Sequence, residues 1–309
     1  MVYSTSRIAF SDRERLHAWP GGARMAVLIY TAAESWLWDE KESIKPLGTF
    51  AAGRGAMSTL STRTAVAYGY NVGLRRLAEI YRAFNMRTTV WTNGVAAQQY
   101  PDILAELVED GHELGGHGYS QGAVMAALSR EAQEEAIAKS VQLLESISGR
   151  RPTGWISPGA EASDDTVELL AAAGFDHHGD LQDDELPYFV HVGDRTMVEI
   201  PYRLVGNLND LSLLVRNVNS ITDATSVVTN AFDAYYQAAS LRPLLFNYGT
   251  HPYVSGRPDT SQVLFNVLEH IRRHDDVWVT NYSELASWWR QRFEPRISRA
   301  TGAISVVGL

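Results

Sequence analysis

Short apolar and β-branched runs alternate along the chain with longer segments in which apolar side chains recur every three or four positions. The short runs predict strands at Met25–Thr31, Arg87–Thr92, Glu113–His117, Gly154–Ser157, Gly174–His178, Met197–Pro201, Pro243–Gly249 and Val277–Thr280. The helical period predicts Asn71–Phe84, with Leu74, Leu77, Tyr81 and Phe84 on one stripe. It also predicts helices at Pro101–Glu109, Ser129–Ser148, Asp164–Ala173, Asp223–Ala239, Thr260–His274 and Ser283–Arg292. Ser129 is placed to cap one of these, and Gly149 follows its end where a left-handed residue is favoured. Strand–helix pairs without a break in composition predict an α/β protein, either a parallel barrel or a doubly wound sheet.

Two stretches interrupt the alternation: Ala33–Tyr68, rich in Gly, Ser and Thr, and Asp180–Val192 followed by Tyr202–Thr222. Their length predicts lids or oligomer contacts over a site. At 309 residues the chain is read as one domain, with a core of about 20–292, an N-terminal arm (1–19) and a C-terminal tail (293–309). The tail is expected to dock on a neighbour or to be free. Trp288-Trp289 is expected to pack the last helix against the barrel or a sister subunit, and the aromatic pair Tyr235-Tyr236 is compatible with a subunit contact or with the core.

Composition narrows the chemistry. The sequence has no cysteine, which removes disulfides, thiolate nucleophiles and Cys-type metal sites. A formal charge of −9 without a basic run argues against a nucleic-acid partner. The longest apolar run, near Met25–Ala33, is half of what a bilayer span needs, and the first twenty residues carry Arg7, Asp12, Arg13, Glu14 and Arg15 in place of an apolar signal. A cytoplasmic protein with no membrane partner is expected.

In parallel α/β folds chemistry gathers where strands end. The residues there are Glu34, Trp36, Asn93, His117, Gln121, Trp155, Ser157, His177, His178, Asp180, Tyr202 and His251.

Four segments carry a family resemblance. GHELGGHGYSQ (111–121) is similar to the H-x-x-x-H motif of polysaccharide deacetylases. MAVLIYTAAES (25–35) stands where that family has its first strand and D-x-D, RPTGWISPGAEASDDTVELLAAAGF (151–175) resembles its third motif, and FNYGTHP (246–252) its late strand with a His. The ordered set implies the family's distorted (β/α) barrel of about seven parallel strands. Other features resemble the branch of metal-independent allantoinases and related cyclic-amide hydrolases: Glu34, the D-D-x-L-P-Y segment from Asp183 to Tyr188, Pro201-Tyr202 followed by Asn209-Asp210, and Gly256-Arg257-Pro258.

The departures bear on the cofactor. The places of the family's aspartate base and aspartate ligand hold Tyr30 and Ala32, the second His is Gln121, and the Arg of the third motif is Ile156. A water-activating metal needs about three protein ligands; His117 and an amide fall short, so no cofactor is expected, zinc included. A relocated site of His177, His178 and Asp180 is opposed by strand alternation, which turns neighbouring residues to opposite faces.

The resulting expectation is a hydrolase of a non-peptide C–N bond in a small amide, cyclic imide or ureide. Glu34 would be the base, its pKa raised by Tyr30, Trp36 and Trp38; His251 the acid; and His117 a polarising or binding group. Tyr30, Trp36, Gln121, Trp155, Asp180 and Arg257 are the expected substrate-binding residues. The partner is then a small molecule, and the resemblance implies a homo-oligomer, a tetramer in relatives with the same long loops. A metal-dependent carbohydrate or peptidoglycan N-deacetylase, and a non-catalytic binding protein on the same barrel, stand as alternatives.

Overall fold

A computed structural model describes residues 3–16, 19–38, 60–202, 208–217, 220–298 and 301–306. Its centre is β2 (Met25–Ala33), a nine-residue strand buried throughout. One side of β2 is flanked along most of its length by β9 (Leu244–Thr250). The other side meets β10 (Val277–Thr280) over Met25–Leu28 and then β3 (Thr89–Thr92) over Tyr30–Ala33. From β3 the parallel sheet continues through β4 (Glu113–Gly116), β5 (Gly154–Trp155), β6 (His177–His178) and β8 (Arg195–Glu199). This is an α/β fold with a mostly parallel sheet, curved as a distorted (β/α) barrel.

Helices cover the outside, among them α2 (Leu74–Ala83), α4 (Pro101–Glu109), α5 (Arg130–Ser148), α6 (Asp164–Ala173), α7 (Ile221–Ala238), α9 (Ser261–Ile271) and α10 (Tyr282–Phe293). Their ends follow local chemistry. The Ser129 side chain caps α5 and Gly149 closes it at φ 67°, while Ser163 and Thr166 form a reciprocal capping box on α6.

Period-two alternation along β2 divides the core. Met25, Val27 and Ile29 face α7 and α9, where they pack with Val228, Phe232, Val263 and Val267. Ala26, Leu28 and Tyr30 face the barrel interior with Trp91, Ile156, Val198 and Leu245. The same alternation carries Ala32 and Glu34 to the interior side at the carboxyl end of the strand. An aromatic cluster of Trp19, Trp278, Trp288, Trp289 and Phe293 packs beside the core, and Trp289 is buried. Trp288-Trp289 therefore packs against the barrel of its own chain. Tyr235 packs on Phe246, and Tyr236 donates a hydrogen bond to Asp276.

Several segments depart from the sequence pattern. Asp180–Val192 contains β7 (Tyr188–Val192), which pairs antiparallel with β8 and with β1 (Ser4–Ser6), so the N-terminal arm forms the sheet edge. The tail folds as a hairpin of β11 (Ile297–Ser298) and β12 (Ala303–Ile304) bridged to Arg7, with Ile304 in the core, so it docks on its own chain. Part of the Gly/Ser/Thr-rich stretch is helical, at α1 (Leu60–Tyr68). The lid or contact role expected of 39–59 and 203–207, and the tail's last residues 307–309, lie outside the described residues. Among the described residues no helix is long and apolar enough to cross a membrane.

Candidate active site

The carboxyl ends of β2, β3, β4 and β9 enclose a cavity of ≈ 190 Å³. Its lining includes Tyr30, Ala32, Glu34, His117, Gln121 and His251. The three residues expected to do the chemistry therefore meet. Glu34 Oε1 lies 3.5 Å from His117 Nε2 and 3.4 Å from His251 Nε2, and all three side chains are buried.

The carboxylate is held from both sides. Gln121 Nε2 donates to Oε1 at 2.7 Å and the Tyr253 hydroxyl donates to Oε2 at 2.6 Å. Asn93 ties the surrounding loops together. Its Oδ1 accepts from the Ser35 main chain at 3.0 Å, and its Nδ2 donates to the His117 carbonyl and, at 3.4 Å, to Gln121 Oε1. One buried amide thus fixes the ends of β2 and β4 relative to each other.

Each imidazole has a fixed orientation. His117 Nδ1 donates to the Ile156 carbonyl at 2.7 Å. A carbonyl can only accept, so Nδ1 carries a proton and Nε2 is the atom that faces Glu34. His251 Nδ1 donates to Asp210 Oδ1 at 2.5 Å. Asp210 Oδ2 accepts from the His251 main chain and from the Ser255 hydroxyl, both at 2.6 Å.

The charges follow. Burial on its own would lower the His251 pKa, but Asp210 and Glu34 override it and raise it to about 10. Burial would likewise raise the Glu34 pKa, as expected from its aromatic neighbours. The His251 charge, together with hydrogen bonds to His117 and His251, reverses the sign and holds the carboxyl far below the usual range. The expected direction was wrong because two imidazoles outweigh desolvation. Near neutral pH the pair is a carboxylate facing an imidazolium.

Of the expected binding residues, Tyr30 and Gln121 line the cavity. The Tyr30 hydroxyl donates to the Tyr202 hydroxyl at 2.6 Å, and burial pushes its pKa well up. The other four expected binding residues do not line the cavity. Trp36 lies behind it, against Trp38 and Tyr253, and so backs the Tyr253 hydroxyl that holds Glu34. Trp155 packs on Phe175 and donates to Ser157, filling core volume. Asp180 is turned toward the loop after β5, accepting from the Ser157 main chain at 2.7 Å and from its hydroxyl at 2.8 Å. It steadies the segment whose Ile156 carbonyl orients His117. Arg257 is exposed, with its guanidinium 4.5 Å over the Tyr68 ring. Asp210 and Tyr253, which the sequence reading left without a role, contact the central groups directly; a Pro-flanked His and an Asn-Asp pair were their only signals.

Gly249 sits opposite Tyr30 in the β2–β9 ladder, and a Cβ there would fall 2.1 Å from the Tyr30 ring. Gly249→Ala is expected to displace that ring and destabilise the fold by about 1–3 kcal/mol. Denaturant titration checks this, and an unchanged midpoint would refute the close approach.

The donor set does not fit the metal of the family that the sequence resembles. Ala32 offers no ligand atom, and the amide oxygen of Gln121, its one ligand atom, accepts from Asn93 while its nitrogen holds Glu34. Among the described residues the one group of three His, Asp or Glu side chains whose ligand atoms lie within 4.8 Å of one another is outside this cavity. His177 and His178 are buried and held neutral, their pKa values lowered to about 3 and about 4 by burial.

Residues 65–178 match the polysaccharide deacetylase family. The chain is 28% identical over 252 residues to a peptidoglycan deacetylase of Helicobacter pylori, covering 72% of this chain and 85% of that one. Its fold is similar to the crystal structure of PuuE allantoinase, with a TM-score of 0.81, 27% identity, and coverage of 89% and 93%. The crystal structure of a probable polysaccharide deacetylase from Pseudomonas aeruginosa PAO1 gives a TM-score of 0.80 with the same identity and coverage. By their names these relatives are hydrolases of C–N amide bonds, and they confirm the fold class.

Proposed function

We propose that the protein hydrolyses a C–N bond in a small cyclic amide, imide or ureide, without a metal. The observation that carries this reading is a single carboxylate oxygen within 3.5 Å of two imidazole Nε2 atoms at the wall of one small cavity. The cavity, at ≈ 190 Å³, falls below the roughly 300–1,000 Å³ of drug-sized sites, which suits one small ring better than several sugar units.

Glu34 takes a proton from water as the water oxygen bonds to the substrate carbonyl carbon, and the His251 imidazolium gives its proton to the departing nitrogen as the C–N bond breaks. The two transfers support each other. The positive charge of His251 is the main influence lowering the proton affinity of Glu34, so losing it raises that affinity when Glu34 needs to hold a proton. Transfer from Glu34 back to His251, 3.4 Å away, restores the starting state. His117 and Tyr30 border the same space, where they contact the bound ring.

An N-deacetylase reading is favoured by the name of the H. pylori relative. A panel of hydantoin-type ureides, cyclic imides and N-acetylglucosamine oligomers separates the two. The expected result is ring opening of a five-membered ureide or imide, with no acetate released from the oligomers. Acetate release without ring opening would overturn the proposal.

A further inference from the structure

A second cluster of donor side chains lies away from the cavity, on the packed faces of α7 and α9. Asp233 comes from α7, His270 from the last turn of α9, and His274 from the turn that closes it. Their ligand atoms all lie within 4.8 Å of one another, and each residue is partly buried. The geometry points to a binding site for a transition-metal ion of the zinc class on this outer surface.

Residues four apart on a helical turn share a face, so His270 and His274 present their rings together, with centroids 5.4 Å apart. His274 Nδ1 donates to the His270 carbonyl at 3.2 Å. That bond fixes the tautomer and leaves Nε2 with its lone pair, the form a metal-bound imidazole takes when its other nitrogen is anchored. His274 is also wedged between Phe232 and Tyr236, with ring centroids at 5.0 and 4.5 Å. A ligand held this rigidly loses little freedom on binding. His270 Nε2 donates its proton in a hydrogen bond to Asp233 Oδ1 at 2.6 Å. A zinc-class ion would replace that proton, opening the pair to roughly 3.3 Å for tetrahedral bonds near 2 Å. Asp233 is 41% exposed and can rotate to allow this.

Two imidazoles and a carboxylate are the ligand types such ions prefer. The carboxyl end of α9 adds the negative end of a helix dipole beside the cation. Three protein ligands leave a position for water, so the site is suited to exchangeable binding.

The test uses the untagged full chain, stripped with chelator and dialysed. Co²⁺ is titrated while the visible d–d bands are followed, and Zn²⁺ is titrated by calorimetry. One equivalent is expected to bind saturably with a four- or five-coordinate Co²⁺ spectrum. His274→Ala and, independently, Asp233→Asn are each expected to weaken binding at least tenfold, and His117→Ala is expected to bind as the wild type does. Absence of saturable binding would overturn the inference. So would binding that both surface variants leave unchanged, or binding lost in His117→Ala. None of these outcomes depends on whether the cavity is catalytic.

Discussion

Glu34→Gln is expected to lower kcat/KM by about 10²–10⁴ while the protein stays folded, because the amide keeps the carboxylate's shape but cannot take a proton from water. The partners support the second half of this prediction. Tyr253 donates to Oε2 and Gln121 to Oε1, and a Gln side chain keeps one acceptor oxygen for one of them. Removing the charge also removes one of the two groups that raise the pKa of His251, so that value should fall from about 10. Steady-state kinetics with circular dichroism on the same preparation decide the matter. Turnover within a few-fold of wild type would remove Glu34 from the chemistry and leave it as a buried partner of two imidazoles.

Asp210→Asn should have the larger effect on stability. The carboxylate accepts from His251 Nδ1, from the His251 main chain and from Ser255, and the sequence places it 41 residues from the imidazole it holds. Breaking a buried, hydrogen-bonded charge pair on one side costs about 3–5 kcal/mol. The pH dependence follows from the raised pKa of His251. A cation favoured by the fold stabilises it fully below the ordinary value of 6.5, progressively less as pH rises, and no longer above about 10. The stability gap between wild type and variant should therefore be widest below pH 6.5, narrow as pH rises from there, and be smallest above about 10, which chemical denaturation at the two extremes would show. Activity should report the same group: the alkaline limb of kcat/KM lies near 10 in the wild type and moves toward neutral pH in Asp210→Asn. A gap that widens with pH would show that His251 is not held as an imidazolium.

What the sequence reveals about this molecule depends on how local each cause is. The run Met25–Ala33 reads as a buried strand from its composition alone, and α4 and α6 have the predicted bounds because Pro101 at one start and Ser163 with Gly174 at the other's ends act within one turn. β7 is hidden because Tyr188–Val192 follows an acidic, Pro-containing loop, and its strand character comes from pairing with β8 and β1, the latter some 180 residues away. β5 and β6 are only two residues long, shorter than the runs predicted for them, although single main-chain hydrogen bonds from Ile156 to Gly116 and from Gly179 to Trp155 continue beyond them.

The site divides along the same line. Alternation along β2 is enough to put Tyr30, Ala32 and Glu34 on one face, and the ends of β4 and β9 bring His117 and His251 to the same rim. The sign of the Glu34 pKa was not legible, because it is set by distances to two imidazoles 83 and 217 residues further on. Nor does residue type say which side of a wall a tryptophan occupies. Trp36 and Trp155 are both buried, one behind Tyr253 and the other against Phe175.

The proposed function requires that the carboxylate and the two imidazoles act together with no ion among them. Turnover of a ring-opened substrate by protein stripped with chelator, with metal content measured on the same sample, tests it most directly. Undiminished kcat/KM is expected at well below one metal per chain, with activity lost in Glu34→Gln. Activity that disappears on stripping, returns with one equivalent of zinc, and is absent in His117→Ala even with zinc restored would contradict it.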